Sequence, residues 1–493
     1  MKRNARFMNM PNPIRAGWAH VALTWLAILI FTSSPHSASA QELDLRQSLD
    51  RAAQNHPDLW EQRAKIESAR ANLSKARAGR FPRGQYVGVF GIINAAEVGE
   101  VPEGLQEGLS EAEQAEIQEA LGPLFSEDGV NNVFNGLNFF TRHELRVDQP
   151  IYTFGKIKHG IRAAKYGIEA ESAELERQTG NSLLETKRAY YGYKLTDEII
   201  DVIEEVVEAF TNAEDRASEA LEEGKGDLTQ ADVLKLRIAK VQTRRRLLEL
   251  QRRQQEALLG FRRAIGAALT SSVTPDRKAL SPVKTVPLLG IDSLVQSLDA
   301  LPGYRAAELG MKARTEAVNV ARGKLYPDFF MSIIVQGAFA VQRDDVQNPF
   351  LNDPFNLIRG GPVFGINYQL DIATRLAELR EAKAKAAEQQ AKVNRAATGL
   401  PVAIRRAHLE VEEKRAALRE ARIERKAGRA LSFLAASSFS IGIGEPKEIL
   451  ESLGTYAQAS TNYYRTVHDF NLAVAKLSSA MGRELDAALQ PDE

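Results

Sequence analysis

The sequence predicts a mainly α chain with a small β part, in which long helical hairpins alternate with four short strands in two pseudo-symmetric halves. Three observations lead there. Between Lys156 and Glu223 there is no Pro, and the only internal glycines are Gly160, Gly167, Gly180 and Gly192. One helix of about 100 Å is therefore expected, at ~1.5 Å per residue. Motifs of the first half recur in the second at steady offsets. Four apolar stretches of about ten residues lie between helices, the length of a tilted strand that crosses a bilayer.

Taken in order, the chain opens with Lys2, Arg3, Arg6 and Arg15, then the apolar run Val21 to Phe31, then Ser37-Ala38-Ser39-Ala40. A basic start, a short apolar run and small residues at the cut mark a secretory signal, residues 1–40, cleaved after Ala40. The run is about half the ~20 residues a membrane helix needs, and no later run approaches that length. Asp44 to Gln47 resembles a capping box, and a helical pattern follows to about Ala78. In the long helix the apolar positions 199, 202/203, 206, 210, 213, 217 and 220 keep the 3–4 spacing of a narrow coiled-coil stripe. A third helix is expected over 228–268. The second half then gives a helix over 292–322 and a long one over 374–438, with a break or kink at Gly399-Leu400-Pro401. A last helix spans 446–481. The strands are expected at 85–93, 142–151, 329–341 and 363–370.

The repeat is visible in particular residues. Pro57 and Pro302 are 245 apart, as are Pro82 and Pro327. Later the offset is 216, from Gly226 to Gly442 and from Asp232 to Glu448. The first half thus carries an insertion, placed at 97–128, which holds ten Asp and Glu, with no Lys or Arg anywhere in 84–141. The expected organisation is a first repeat over 41–268, a linker at 269–289, a second repeat over 290–485 and a tail at 486–493.

Composition removes several function classes. There is no Cys, so no disulfide, thiolate nucleophile or Cys-ligated metal. The seven His are scattered, which leaves no local metal motif. Lys+Arg equals Asp+Glu at 64 each, so nothing overall points to nucleic acid. Arg244–Arg246, Arg252–Arg253 and Arg262–Arg263 read as a charged helix face. No nucleophile elbow or phosphate loop appears. Neither an enzyme nor a bound cofactor is expected. The strands alone leave a soluble two-hairpin subdomain and an outer-membrane barrel open. The signal and the lack of membrane helices favour the barrel.

An ordered set of motifs sharpens this. It includes Leu45 to Pro57, Ala76-Arg-Ala-Gly-Arg-Phe-Pro82, Gln149-Pro-Ile-Tyr-Thr-Phe-Gly155 and Ala189-Tyr190-Tyr191. Gly226-Asp-Leu-Thr-Gln-Ala-Asp232 and Gly442-Ile-Gly-Glu-Pro-Lys-Glu448-Ile-Leu-Glu451 complete it. Over about 43–485 the chain resembles the TolC-like outer-membrane efflux protein family. The resemblance implies a homotrimer in which each chain gives four strands to a twelve-stranded barrel and long helices to a periplasmic tunnel. It implies an outer-membrane exit duct of a tripartite efflux pump or type I secretion system, supplied by a periplasmic adaptor and an inner-membrane transporter. A closed barrel also meets a physical need, because open sheet edges are not tolerated in lipid.

The two interhelical turns, with Gly226, Gly442 and Gly444, are expected at the periplasmic tip, where the resemblance implies adaptor docking. Glu448 and Glu451 share a helix face. They are either solvated surface carboxylates or, as the resemblance implies, a pore-entrance ring that favours cations. Asp232 matches a residue that latches the closed tip. The arginine and tyrosine that the resemblance expects as its partners are Gly444 and Phe439 here, so either the tip closes through other groups such as Lys447 or Lys225, or it is leakier. The acidic insert is expected as an extracellular loop, a solvated lid rather than a site for divalent cations or lipopolysaccharide, because it holds no spaced calcium-loop pattern. A second departure is Gln369-Leu-Asp-Ile-Ala373, which lacks the Pro and Gly of the first return from strand to helix. The main alternative is a pore-less periplasmic coiled-coil or adaptor protein. The substrate is not legible in the sequence.

Overall fold

The computed structural model describes residues 41–94, 137–224, 228–285, 298–341 and 356–489. The signal segment, the insert at 97–128, Lys225 and Gly226 lie outside them.

Asp44 and Gln47 form the expected reciprocal cap. The Gln47 amide donates to Asp44 Oδ1 at 2.8 Å, and the Asp44 amide donates to Gln47 Oε1 at 3.1 Å. Helix α1 (Leu45–Asn55) follows it, after a two-residue strand β1 (Glu42–Leu43). The helical pattern is then interrupted, because Pro57 lacks an amide hydrogen and holds His56 extended. Helix α2 (Pro57–Ala78) restarts with Pro at its first position and His56 as its cap. Strands β2 (Arg83–Asn94) and β3 (Leu137–Tyr152) lead into α3 (Lys156–Glu222), which has 67 residues. Helix α4 (Gln230–Ala264) and strand β4 (Thr274–Pro275) close the first half. The second half runs α5 (Pro302–Gly323), β5 (Asp328–Ala340), β6 (Leu357–Asn367), α6 (Ile372–Ser440) and α7 (Pro446–Met481). Helices α2 and α5 have 22 residues each and start at the prolines 245 residues apart.

The expected break at Pro401 does not occur. Helix α6 continues through it. A helix this long keeps its hydrogen-bonded turns on both sides of the single missing donor.

The contacts divide the chain into two units. One takes the described residues up to Ala52, together with Thr186–Ser281 and Ala427–Tyr464. Its main core joins Val202, Val206, Phe210, Ala213 and Ala217 of α3 to Val233 and Leu236 of α4, Phe439 of α6, and Ile449, Leu453 and Tyr456 of α7. The stripe read from the sequence is thus the buried seam. Glu214, beside that seam, is almost wholly buried. It accepts from Arg237 Nε at 2.6 Å and pairs with Lys240, which ties α3 to α4. These two cations hold its carboxyl below the usual carboxylate range.

The other unit takes the described residues of Ala53–Glu185, of Pro282–Lys426 and from Arg465 onward. It holds the four-stranded antiparallel sheet, in the order β2-β3-β5-β6. Gln62 of α2 donates to Glu171 Oε2 at 2.7 Å, and Lys476 of α7 donates to Glu410 Oε1 at 2.7 Å.

Candidate functional site

Side chains alternate across a strand, so the register of the sheet sorts its residues into two faces. Tyr86 pairs with Leu145, Leu145 with Val335, and Met331 with Phe364. On that face lie Tyr86, Phe90, Leu145, Ile333, Val335, Phe339, Ile358, Phe364 and Ile366, most of them well exposed. Among its described side chains there is no Asp, Glu, Lys or Arg. Its one His, His143, stacks on Tyr86 and bonds its hydroxyl at 2.7 Å. The opposite face carries Arg142, Glu144, Arg146, Asp148, Gln336 and Arg359. There Arg146 Nε donates to Asp148 at 2.9 Å and Ser332 Oγ donates to the same carboxylate at 2.7 Å. Gln336 Nε2 donates to Glu144 at 2.9 Å, while Arg359 Nε donates to Gln336 Oε1 at 2.8 Å. An uncharged apolar face suits lipid, and a hydrogen-bonded charged face suits water. The expected alternation, weak in each strand alone, is clear once four strands are aligned.

The end of the sheet next to the helices is aromatic. Phe154 stacks on Tyr326 at 5.0 Å between centroids and meets Tyr152 edge-on at 4.8 Å. Aromatic girdles of this kind mark membrane–water boundaries. The return into α3 uses positive φ at Phe154 and Gly155, and a Cβ at Gly155 would lie 2.8 Å from the His159 ring. The second return lacks that geometry and is clamped by Arg375 instead. Its guanidinium donates to Asp371 Oδ1 at 2.7 Å, to the Lys324 carbonyl at 2.7 Å and to Gln369. The Arg375 bond holds the Asp371 carboxyl below its usual range. The junction without Pro or Gly is thus held by a side chain rather than by backbone conformation.

The two interhelical turns lie around one cleft of about 1210 Å3. Leu228, Asp232 and Lys235 line it from the first turn and residues 439–447 from the second. Asp232 and Thr229 form a capping box at the start of α4. Thr229 Oγ1 donates to Asp232 Oδ2 at 2.6 Å, and Lys235 Nζ donates to Asp232 Oδ1 at 3.0 Å. Both carboxylate oxygens are thus engaged within the first turn, and these bonds, Thr229's first, lower its pKa. In the second turn Gly442 has φ +80° with open space around it. Gly444 differs: a Cβ there would lie 2.8 Å from the Phe439 amide nitrogen and 3.1 Å from its Cα. Phe439, where the resemblance expects a tyrosine, is buried in the core. Glu448 and Glu451 sit in the first turns of α7, both exposed, with Lys447 Nζ 3.9 Å from Glu451. They do not line the cleft.

Among the described residues His56, Asp58 and Glu185 come close enough to hold a metal. His56 is buried, and its Nδ1 accepts the Asp58 amide at 3.2 Å. Nε2 therefore keeps the ring proton, 3.6 Å from Glu185. A neutral ring with its proton on Nε2 has no lone pair there for a metal, so the group is a helix cap with a carboxylate behind it.

Sequence reasoning missed the ladder on the charged face, because its members are adjacent only in the paired sheet. It also missed the Arg375 clamp, which joins the nearby Asp371 and Gln369 to the Lys324 carbonyl 51 residues away.

A four-stranded sheet with one uncharged apolar face and one charged face thus stands in a chain of long helical hairpins. Residues 142–267 match the family model described as outer membrane efflux protein, about a quarter of the chain. A search of curated proteins returned no match. Among solved structures the chain is similar to the outer-membrane channel OprN, at 19% identity and TM-score 0.67, over 91% of this chain and 94% of that one. It is similar to the CmeC outer membrane channel of Campylobacter jejuni, at 14% identity and TM-score 0.68, over 91% and 87%. The outer membrane protein VceC of Vibrio cholerae matches at 15% identity and TM-score 0.67, over 89% and 96%. The chain has the TolC-like fold that the resemblance implied.

Proposed function

We propose that the protein is an outer-membrane channel that assembles as a homotrimer and serves as the passive exit duct of a tripartite efflux pump or type I secretion system. The observation that carries this is the two-faced sheet. Its uncharged face fits lipid and its charged face fits a water-filled lumen. Among the described residues strands β2 and β6 each leave one edge unpaired, and copies of the same chain would pair them. A pore-less periplasmic protein has no use for an exposed aromatic and aliphatic sheet face of this extent. The match to the efflux family and the likeness to OprN, CmeC and VceC support the same role.

Further features fit. Exposed apolar residues follow heptad spacing on α4, at Leu234, Ile238, Val241 and Leu248, and on α6, at Val402, Leu409 and Ile423. Neighbouring copies would cover such seams. The signal at 1–40 would deliver the chain across the inner membrane, and the two repeats would form its α-and-β plan. The turns at Gly226, Gly442 and Gly444 would meet a periplasmic adaptor that links the duct to an inner-membrane transporter. Asp232 would support the closed tip by fixing the first turn. Glu448 and Glu451, six carboxylates per trimer, would line the entrance and favour cations.

The test is single-channel recording of the purified mature protein in a planar lipid bilayer. Stable, cation-selective steps are expected. Verified folded protein that never inserts or conducts would overturn the duct. Replacing Glu448 and Glu451 together by Gln should leave the steps and weaken cation selectivity. Unchanged selectivity would remove those two residues from the entrance.

A further inference from the structure

The charged face of the sheet is not neutral along its length. At the end near the helices Arg146 and Asp148 cancel as an ion pair, and Lys156 pairs with Asp328 at 2.8 Å. Further along β3 the face holds Glu144, then Arg142, with Arg359 beside them on β6. Gln336 stands between Glu144 and Arg359 and bonds both, so one negative and one positive charge are fixed at a single level. Two arginines are in excess: Arg83, opposite Asp148 at the exposed start of β2, and Arg142, deeper in the sheet. The cross-strand neighbours of Arg142 are Val89 and Ala338, and the next strand offers Leu357 beside Ala338. Among the described residues it has no ion-pair partner.

We propose that Arg142 is a selectivity residue of the barrel: in the assembled channel it forms a ring of fixed positive charge that repels cations and draws anionic solutes such as carboxylates and phosphates. The inference rests on the duct reading above. A charge in a narrow polar passage acts on permeating ions at full strength only over about a Debye length, roughly 10 Å at 0.1 M salt and 3 Å at 1 M. Arg142 lies on the strand itself, so its position is set by the ladder rather than by a mobile loop. A barrel ring of positive sign would oppose the carboxylates proposed at the entrance, so the duct would select in series rather than by one filter.

The experiment is the reversal potential of single channels of the mature protein in asymmetric KCl at about 0.1 M. Arg142→Gln is compared with wild type, and Arg142→Lys serves as a charge-preserving control. The expected result is intact conductance steps with a cation-to-anion permeability ratio raised about twofold or more in Arg142→Gln, unchanged in Arg142→Lys, and no difference at 1 M KCl. If Arg142→Gln yields no trimer, Arg359→Gln, at an exposed position, reads the same field and should move the ratio the same way. Channels that insert normally with an unchanged ratio overturn the proposal. Wild-type protein that forms no channels at all overturns the duct reading, and this inference with it.

Discussion

At Gly444 the structure separates two glycines that the sequence treats alike. A methyl group at Gly442 has space and meets only the cost of positive φ, about 1 kcal/mol. At Gly444 it would push into the Phe439 backbone, an overpacking cost of about 1–3 kcal/mol. Gly444→Ala should therefore lower the unfolding midpoint of the detergent-solubilised protein more than Gly442→Ala does. An equal or reversed order would mean that the second turn is not built as described. A side chain here, such as the arginine the resemblance expects, would meet the same backbone. Glu214 makes a second residue-level prediction. Its folded pKa lies below the unfolded value of about 4.3, so its contribution is complete above that value and lost as pH falls through the folded one. Glu214→Gln should cost on the order of 2 kcal/mol at pH 7 and show less loss of stability on acidification than wild type. Parallel pH profiles would refute that assignment.

The sheet is the element whose character depends on pairing. Its two faces differ in charge, not in mean hydropathy of any one strand. A charge placed on the uncharged face should be expelled from lipid, at about 2–4 kcal/mol for an arginine at mid-depth. Phe364→Arg is therefore expected to reduce the folded, membrane-inserted fraction in heat-modifiability gels. Gln336→Arg, on the opposite face, should be tolerated. The reverse pattern would exchange the lipid and water faces. The helices followed their sequence signals more directly. The capping box at Asp44 was read from a few neighbouring letters. The proline start at Pro57 and the Thr229–Asp232 cap are as local, but the sequence reading ran one helix through Pro57 and left the second cap unread. Pro401 is the opposite case, since a helix of 69 residues absorbs one lost hydrogen bond that would end a shorter one.

For the whole molecule the expectation is a trimer held by seams that one chain leaves uncovered. Leu409 and Ile423 stay more than 60% exposed on α6, two heptads apart. Changing both to Lys should leave secondary structure intact and shift the solubilised protein from trimer to monomer by light scattering. A trimer that survives both changes would place the interface elsewhere.

The sequence by itself determined the element order, the repeat, the buried stripe from Ile199 to Ala217 and the family resemblance. Those signals are local periodicities, caps and motif order, which need no partner strand or helix to be read. It also placed Asp232, Gly442 and Gly444 at turns. Only the tertiary structure brought those three around one cleft and left Glu448 and Glu451 outside its lining. Only the structure showed that Asp232 spends its oxygens on Thr229 and Lys235. The two faces of the sheet, the Glu144–Gln336–Arg359 ladder and an Arg142 with no ion-pair partner among the described residues also had to await it. Their physical reason is register: a strand fixes which residues alternate, but only pairing with its neighbours decides which residues share a face and which charges are left without a partner.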